Sequence, residues 1–287
     1  MFLILAAVPF EAVAGQVCIV DDMQRQVCLD RPAKKVIALY GALNEIVISL
    51  DLGDRLVART VQDSGLPGME DKPCIGTHMR PGMERVLSLK PDVVLQMGGR
   101  SRAKRSVRNL ERFGLQVAFF RANDFSSLFS VIKRVGRLLG AEARADSLIR
   151  DMRGRLEAVK EKVKGRSRPR VFFEVRYPNL LAAGRGNMVS EVIDKAGGRN
   201  CLEAERKIVR LNEEELIRKA PEVYLVQKGP MNPDPVPVSS RRHFRTLPAV
   251  KNGEVYVVNE LLFSRPGPRS VDAVEKLAGI LHPKLMD

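Results

Sequence analysis

The sequence predicts an α/β protein of two Rossmann-like lobes, each built on a parallel-rich sheet, joined by one long interdomain helix. Three observations carry this. Short runs of Val, Ile and Leu alternate with amphipathic stretches along most of the chain, the pattern of a parallel sheet covered on both faces. A phrase recurs once in each half of the chain: Glu84 to Leu95 and Glu214 to Leu225 each place a Glu seven residues before a Pro, then an acid, then a buried apolar run. Finally, Phe125 to Lys164 carries apolar residues at helical spacing almost throughout. The expected division is a signal-like segment over 1–14, an N-terminal lobe over 15–141, a connecting helix over 142–166 and a C-terminal lobe over 167–287.

In order along the chain, Met1 to Ala14 has an apolar core followed by Ala12-Val13-Ala14, a small-x-small cleavage signal too short to span a bilayer. It predicts export as a soluble protein, because Gly15-Gln16-Val17 is a poor lipid-attachment context for Cys18. Two short alternating strands, Gln16 to Val20 and Gln26 to Leu29, flank a turn and bring Cys18 and Cys28 close enough for a disulfide. Lys35 to Leu39 is a buried strand. A helix follows with Ile46, Val47, Leu50 and Leu52 on one face, stopped by Gly53. Leu56 to Ala58 reads as a short strand, and Ser64 to Pro81 as a Gly- and Pro-rich loop. The first repeat ends in Gly98-Gly99. A basic helix, Gly114 as its stop and the strand Gln116 to Phe120 complete the lobe.

Val131, Val135, Leu138 and Leu139 form one helical stripe up to Gly140. Ala145, Leu148, Ile149, Met152, Leu156, Val159 and Val163 form the next. The second lobe opens on the strand Arg170 to Val175. Gly184 to Asn187 leads into a helix from Met188 to Ala196, and the second repeat follows. Val255 to Val258 is a further strand, Pro266-Gly267-Pro268 a rigid turn, and Val271 to Leu281 the closing helix.

The 287 residues suffice for two lobes with their own cores, and the hydrophobic content of 45% predicts folding. The formal net charge of +14 would fit a nucleic-acid partner, but acids are interleaved with the basic residues. The densest basic run, Arg100 to Arg112, has no aromatic residue for base stacking and reads as a solvated helix face. Nucleic acid is therefore not the expected partner. Cys74 and Cys201 are left over; they pair across the lobes, stay free or touch ligand. No Gly-x-Ser-x-Gly, His-Glu-x-x-His, Cys-x-x-Cys or full Gly-x-Gly-x-x-Gly is present, so no enzyme is expected.

Matched lobes that each present one carboxylate suit a clamp that holds something between them and docks on a two-fold partner. A wider set of residues gives that shape a family. These are Lys35 to Leu39 with Asn44-Glu45-Ile46 and Leu52-Gly53-Asp54-Arg55, then Leu87 to Val94, Ala196-Gly197-Gly198-Arg199-Asn200, and Arg265-Pro266-Gly267-Pro268-Arg269. In this order the chain, from about Pro32 on, resembles the periplasmic solute-binding proteins that feed ATP-driven importers of ferric siderophores, vitamin B12 and haem. The resemblance implies ligand in the interlobe cleft, little hinge motion, no cofactor, and a monomer delivering to a permease dimer with ATPase subunits. It also implies that Glu84 and Glu214 meet arginines on the two permease subunits.

Loops beyond the strands' carboxyl ends should line the cleft. They offer Tyr40, His78, Arg80, Arg100, Arg121, Arg176, Tyr177, Arg185 and Arg265, with Arg80 and Arg185 foremost because their loops are flanked by glycine. Guanidinium forks suit carboxylate, catecholate or phosphate oxygens, so an anionic ferric siderophore is the leading ligand. Haem is the close alternative, with His78 or Tyr177 as an axial ligand; otherwise no residue binds metal directly. Cobalamin comes third, since relatives that hold it use cleft aromatics, and this chain has no Trp and 5% aromatic residues.

Overall fold

The structure is a computed structural model that describes residues 15–98 and 101–285. The signal-like segment and Arg100 lie outside the described residues. Strands β1 (Val17–Val20) and β2 (Gln26–Leu29) pair antiparallel with Cys18 directly opposite Cys28. The two cysteines are disulfide-bonded, with their Cα atoms 4.2 Å apart. The turn is clipped to the first lobe: Asp21 and Asp22 accept the backbone N–H groups of Phe119 and Arg121 at 3.2 and 2.6 Å.

The N-terminal lobe continues with β3 (Val36–Ala38) and α1 (Gly41–Ser49). A small hairpin, β4 (Gly76–Thr77) with β5 (Arg80–Pro81), precedes α2 (Met83–Ser88). Then come β6 (Val93–Met97), α3 (Ser101–Arg112), β7 (Val117–Phe120), α4 (Phe125–Leu138) and α5 (Glu142–Val163). The lobe's sheet is parallel in the order β3-β6-β7. Leu56 to Ala58, expected as a strand, contributes only an isolated bridge from Leu56 to Val36. Gly140, at φ +62°, takes the left-handed conformation that lets the chain leave α4 and start α5.

In the C-terminal lobe, β8 (Arg170–Arg176) and β9 (Leu181–Ala183) are followed by α6 (Met188–Lys195), β10 (Arg199–Asn200) and β11 (Ile208–Arg210). The chain then forms α7 (Glu213–Lys219), β12 (Val223–Lys228), α8 (Pro248–Lys251), β13 (Val255–Asn259), α9 (Glu260–Phe263) and α10 (Ser270–Leu281). The sheet runs β11-β9-β8-β12-β13, with β10 beside the start of β8. The strands β8, β12 and β13 are parallel, while β9 and β11 are antiparallel to their neighbours. Strands β9, β10 and β11 are not among the expected elements; they are two or three residues long and lack a readable period.

The repeated phrase is one structural unit used twice. Lys90 and Ala220, each just before its Pro, sit at φ +47° and +45° and end α2 and α7 in the left-handed region. The acid after each Pro clips the strand beside it. Asp92 accepts the N–H groups of Lys34 and Lys35 at 2.7 and 2.8 Å, and its own N–H donates to Lys35 O at 2.8 Å. Glu222 accepts the N–H of Arg170 at 2.7 Å and donates its N–H to Arg170 O at 2.8 Å. One residue later, Val93 pairs with Val36 and Val223 with Val171. The lobes therefore share a register as well as a sequence.

Each sheet has its own outer core. Ile37, Val86, Val94, Val107 and Phe119 pack under α2 and α3, and Phe172, Leu216, Tyr224 and Phe244 pack under α7. The inner faces share one cluster that runs from Val36, Leu43 and Leu95 through Ile149 and Met152 of α5 to Phe173, Val192 and Val274. A seam of that kind resists wide hinge opening, since separating the lobes would expose it to water.

Candidate ligand cleft

Every parallel strand ends at the same edge of its sheet, and the loops there build the cleft. Tyr40 follows β3 closely, with the α1 N-terminus one residue on. The β4–β5 hairpin carries His78 at its tip, and Gln96 near the end of β6 fixes it by donating Nε2–H to His78 O at 2.8 Å. The His78 and Tyr40 rings meet edge to face with centroids 5.5 Å apart. Burial, with help from the Arg265 charge, pushes the His78 imidazole below its ordinary pKa, against the opposing pull of Asp63. Burial raises the Tyr40 hydroxyl. His78 is thus a neutral imidazole at neutral pH, with lone-pair capacity to ligate or accept.

Arg265, expected to contact ligand, reaches across the lobes. Its guanidinium lies 3.3 Å from Glu45 Oε1 and 3.6 Å from Asp63 Oδ1, and all three side chains are buried. Gly41 makes room for it: a Cβ there would collide with the guanidinium. Asn44 Nδ2 and the Thr60 hydroxyl donate to Asp63 Oδ2. Glu45 Oε2, Asp63 Oδ1 and Asn44 Oδ1 are buried without a hydrogen-bond partner among the described residues. Burial raises the Glu45 carboxyl despite Arg265 and Arg269. Glu260, raised by burial as well, accepts Met231 N–H at 2.7 Å. Nothing local in the sequence marked Asp63 or Glu260, because the fold alone brings Arg265 and Asn44 to Asp63 and Met231 to Glu260.

Residues of both lobes line an open cleft of about 450 Å³. Val61 and Leu66 form one wall, Pro230 and Leu261 the other, with Arg265 and Arg269 between them. Arg80 and Arg176 are exposed at the strand-end edge, and among the described residues neither has a carboxylate within ion-pair distance. Arg121 is half-buried and leans over Phe119 of its own strand, 5.7 Å from the ring centroid. Tyr177 is turned toward the outer side of its lobe. Its hydroxyl donates to Glu213 Oε1 at 3.0 Å, and the Arg241 guanidinium covers its ring at 3.9 Å. Arg185 is not at the strand-end edge: β9 runs back from the end of β8, so Arg185 lies toward the amino end and faces Glu205 at 3.8 Å. Of the expected set, the structure brings together Tyr40, His78 and Arg265.

Glu84 and Glu214 occupy the second position of α2 and α7, and both are exposed. Each helix leads within a few residues into the amino end of its strand, β6 or β12, so its first turn is the end turned toward the strands' carboxyl ends. Tyr177 holds Glu213, which leaves Glu214 as the outward acid of the α7 start. Of the two remaining cysteines, Cys201 is free and buried, its thiol pushed up to about 12 by burial, and Cys74 is free and half-buried.

The chain matches the family described as Periplasmic binding protein over residues 36–261. It belongs to that family. Among relatives, an uncharacterized ABC transporter substrate-binding lipoprotein, YvrC of Bacillus subtilis, is 29% identical over 92% of this chain and 85% of its own. The vitamin B12-binding protein of Vibrio parahaemolyticus is 23% identical over 85% of this chain and 88% of its own. Among solved structures, the periplasmic heme-binding protein RhuT of Roseiflexus sp. RS-1 superposes with a TM-score of 0.75 at 22% identity, covering 88% of this chain and all of the other. This periplasmic binding protein thus has the two-lobed architecture of the family and serves an ABC importer as a binding component, not as an enzyme. No helix among the described residues is long and apolar enough to cross a membrane.

Proposed function

We propose that this chain is the exported, soluble, monomeric component of an ABC importer that captures an anionic iron chelate of the ferric siderophore class and delivers it to the permease. The observation that carries this reading is the pair of exposed guanidinium groups at the strand-end edge, Arg80 and Arg176, left without carboxylate partners among the described residues. Arg269, in the cleft itself, has Asp272 at 3.9 Å as its one carboxylate within ion-pair distance among the described residues. Such groups gain most from planar oxyanions, which they grip with two parallel hydrogen bonds. The apolar walls of Val61, Leu66, Pro230 and Leu261 suit the hydrocarbon part of a chelate. Cys18 is bonded to Cys28, so its sulfur is not available for a thioether lipid.

Haem is the second reading, and His78 favours it: a neutral, half-buried imidazole at the tip of the β4–β5 hairpin, against Tyr40, is a competent axial ligand. The haem variant of this reading uses His78, because Tyr177 gives its hydroxyl to Glu213. Delivery rests on Glu84 and Glu214 as the two docking acids.

Absorbance of the purified exported protein, before and after incubation with ferric siderophores, haemin and cyanocobalamin, separates the readings. Broad visible absorption that follows the ferric siderophore supports the first reading. A sharp band near the violet edge that is lost in His78→Ala supports the second. Retention of a corrin spectrum alone contradicts both.

A further inference from the structure

The basic helix α3 has no role in the cleft or in docking through Glu84 and Glu214. Its inner face is used by the fold, since Ala103, Val107 and Leu110 belong to the outer core of the first lobe. Its outer face presents Arg105, Arg108 and Arg112, all exposed and spaced three and four residues apart, which places them on one stripe. Among the described residues no carboxylate lies within ion-pair distance of these three; Glu111, the acid of the same helix, is held by Arg25. Like charges at that spacing disfavour a helix, and only Arg112, in the last turn, is favoured by the helix dipole. Helix stability therefore does not account for the stripe. The residue that follows, Phe113, is 57% exposed, the second most exposed of the large hydrophobic side chains described.

An arginine stripe ending in an exposed aromatic ring matches the chemistry of an interfacial anchor, with cations for phosphate headgroups and a ring for the acyl boundary. We propose that the outer face of α3 is a docking surface for an anionic lipid bilayer. The whole chain, at a formal +14, is drawn to such a surface, and the stripe fixes which face meets it. An exported carrier that adheres reversibly by this face searches for its permease in two dimensions. The inference does not depend on which ligand fills the cleft.

Co-sedimentation of the full chain with phosphatidylcholine vesicles that contain phosphatidylglycerol as the minor lipid, against pure phosphatidylcholine, tests it. The wild type should bind the anionic vesicles and lose them on raising salt. The triple variant Arg105→Gln, Arg108→Gln, Arg112→Gln should bind about 100-fold more weakly, at roughly fivefold per arginine. Phe113→Ser should weaken binding several-fold without changing the salt dependence. A control that removes the same charge elsewhere, Arg206→Gln, Arg242→Gln, Arg245→Gln, should bind nearly as the wild type does. No wild-type binding to the anionic vesicles, or equal losses in the two triple variants at unchanged melting temperature, overturns the proposal. An isolated loss of folding in the α3 variant is resolved with Arg105→Gln alone, which should still weaken binding about fivefold.

Discussion

Arg265 and Glu45, 220 positions apart, form an ion pair at 3.3 Å that ties the second lobe to the first helix of the first lobe. Asp63 shares the same guanidinium at 3.6 Å, so one cation answers two buried carboxylates. Taking three charges out of water is expensive, and the pair repays it only while every partner is in place.

Replacing Arg265 with Met should therefore cost about 3–5 kcal/mol, since it leaves Glu45 and Asp63 buried without their cation. Equilibrium urea unfolding measures this. Gly41→Ala should destabilise by the same route, because the added methyl group displaces the guanidinium. A Gly41→Ala protein as stable as the wild type would contradict the close approach.

His78 gives a pH dependence with a definite sign. Its folded pKa lies below the ordinary value of 6.5, so between the two values the unfolded chain binds more protons. The associated stability is present above pH 6.5 and is lost as pH falls through the folded value. His78→Asn should flatten the stability curve in that window, as read by melting temperature on either side of it. An unchanged slope would place His78 in solvent.

Asp92 works the opposite edge of the fold. Burial alone would raise its carboxyl, but the N–H groups of Lys35 and Lys34 and nearby basic charges outweigh burial and hold it below the ordinary value of 3.8. Its contribution is present above that value and lost as pH falls through the lowered one. Asp92→Asn should cost about 1–2 kcal/mol at neutral pH and much less in strong acid, where both proteins carry a neutral side chain. Comparing denaturation midpoints under the two conditions checks the sign.

The Cys18–Cys28 bond closes a loop spanning a sequence separation of 10. A loop of that length predicts about 2–3 kcal/mol of stabilisation by chain entropy. The paired Ser variant should melt earlier by a corresponding amount, and dithiothreitol should lower the wild type to meet it.

Much of this fold is legible in the sequence because its signals are local. The Glu-to-Pro phrase marks a helix, its stop and a buried strand in one short stretch, and the structure repeats it down to the acid clip on the neighbouring strand. The strands β9 and β11 are not legible, since three residues hold no period and their pairing is set by tertiary context. The expected place of Arg185 fails for that reason, because its loop depends on the direction of β9. Arg265 reads as a ligand contact from sequence because position at a strand-end loop is visible there, whereas its partners Glu45 and Asp63, in the other lobe, are not. The position of Tyr177 after β8 is legible, but not that Glu213 takes its hydroxyl.

That two matched lobes each lend one acid, Glu84 and Glu214, to a two-fold permease while the cleft holds the cargo is tested most directly by uptake. Cells or proteoliposomes carrying the cognate permease and the double variant Glu84→Arg, Glu214→Arg are assayed for ligand uptake, with ligand binding by the purified variant measured in parallel. Because both acids are exposed and away from the cleft floor, binding should stay within about twofold while uptake falls to background. Wild-type uptake by the double variant would contradict the claim.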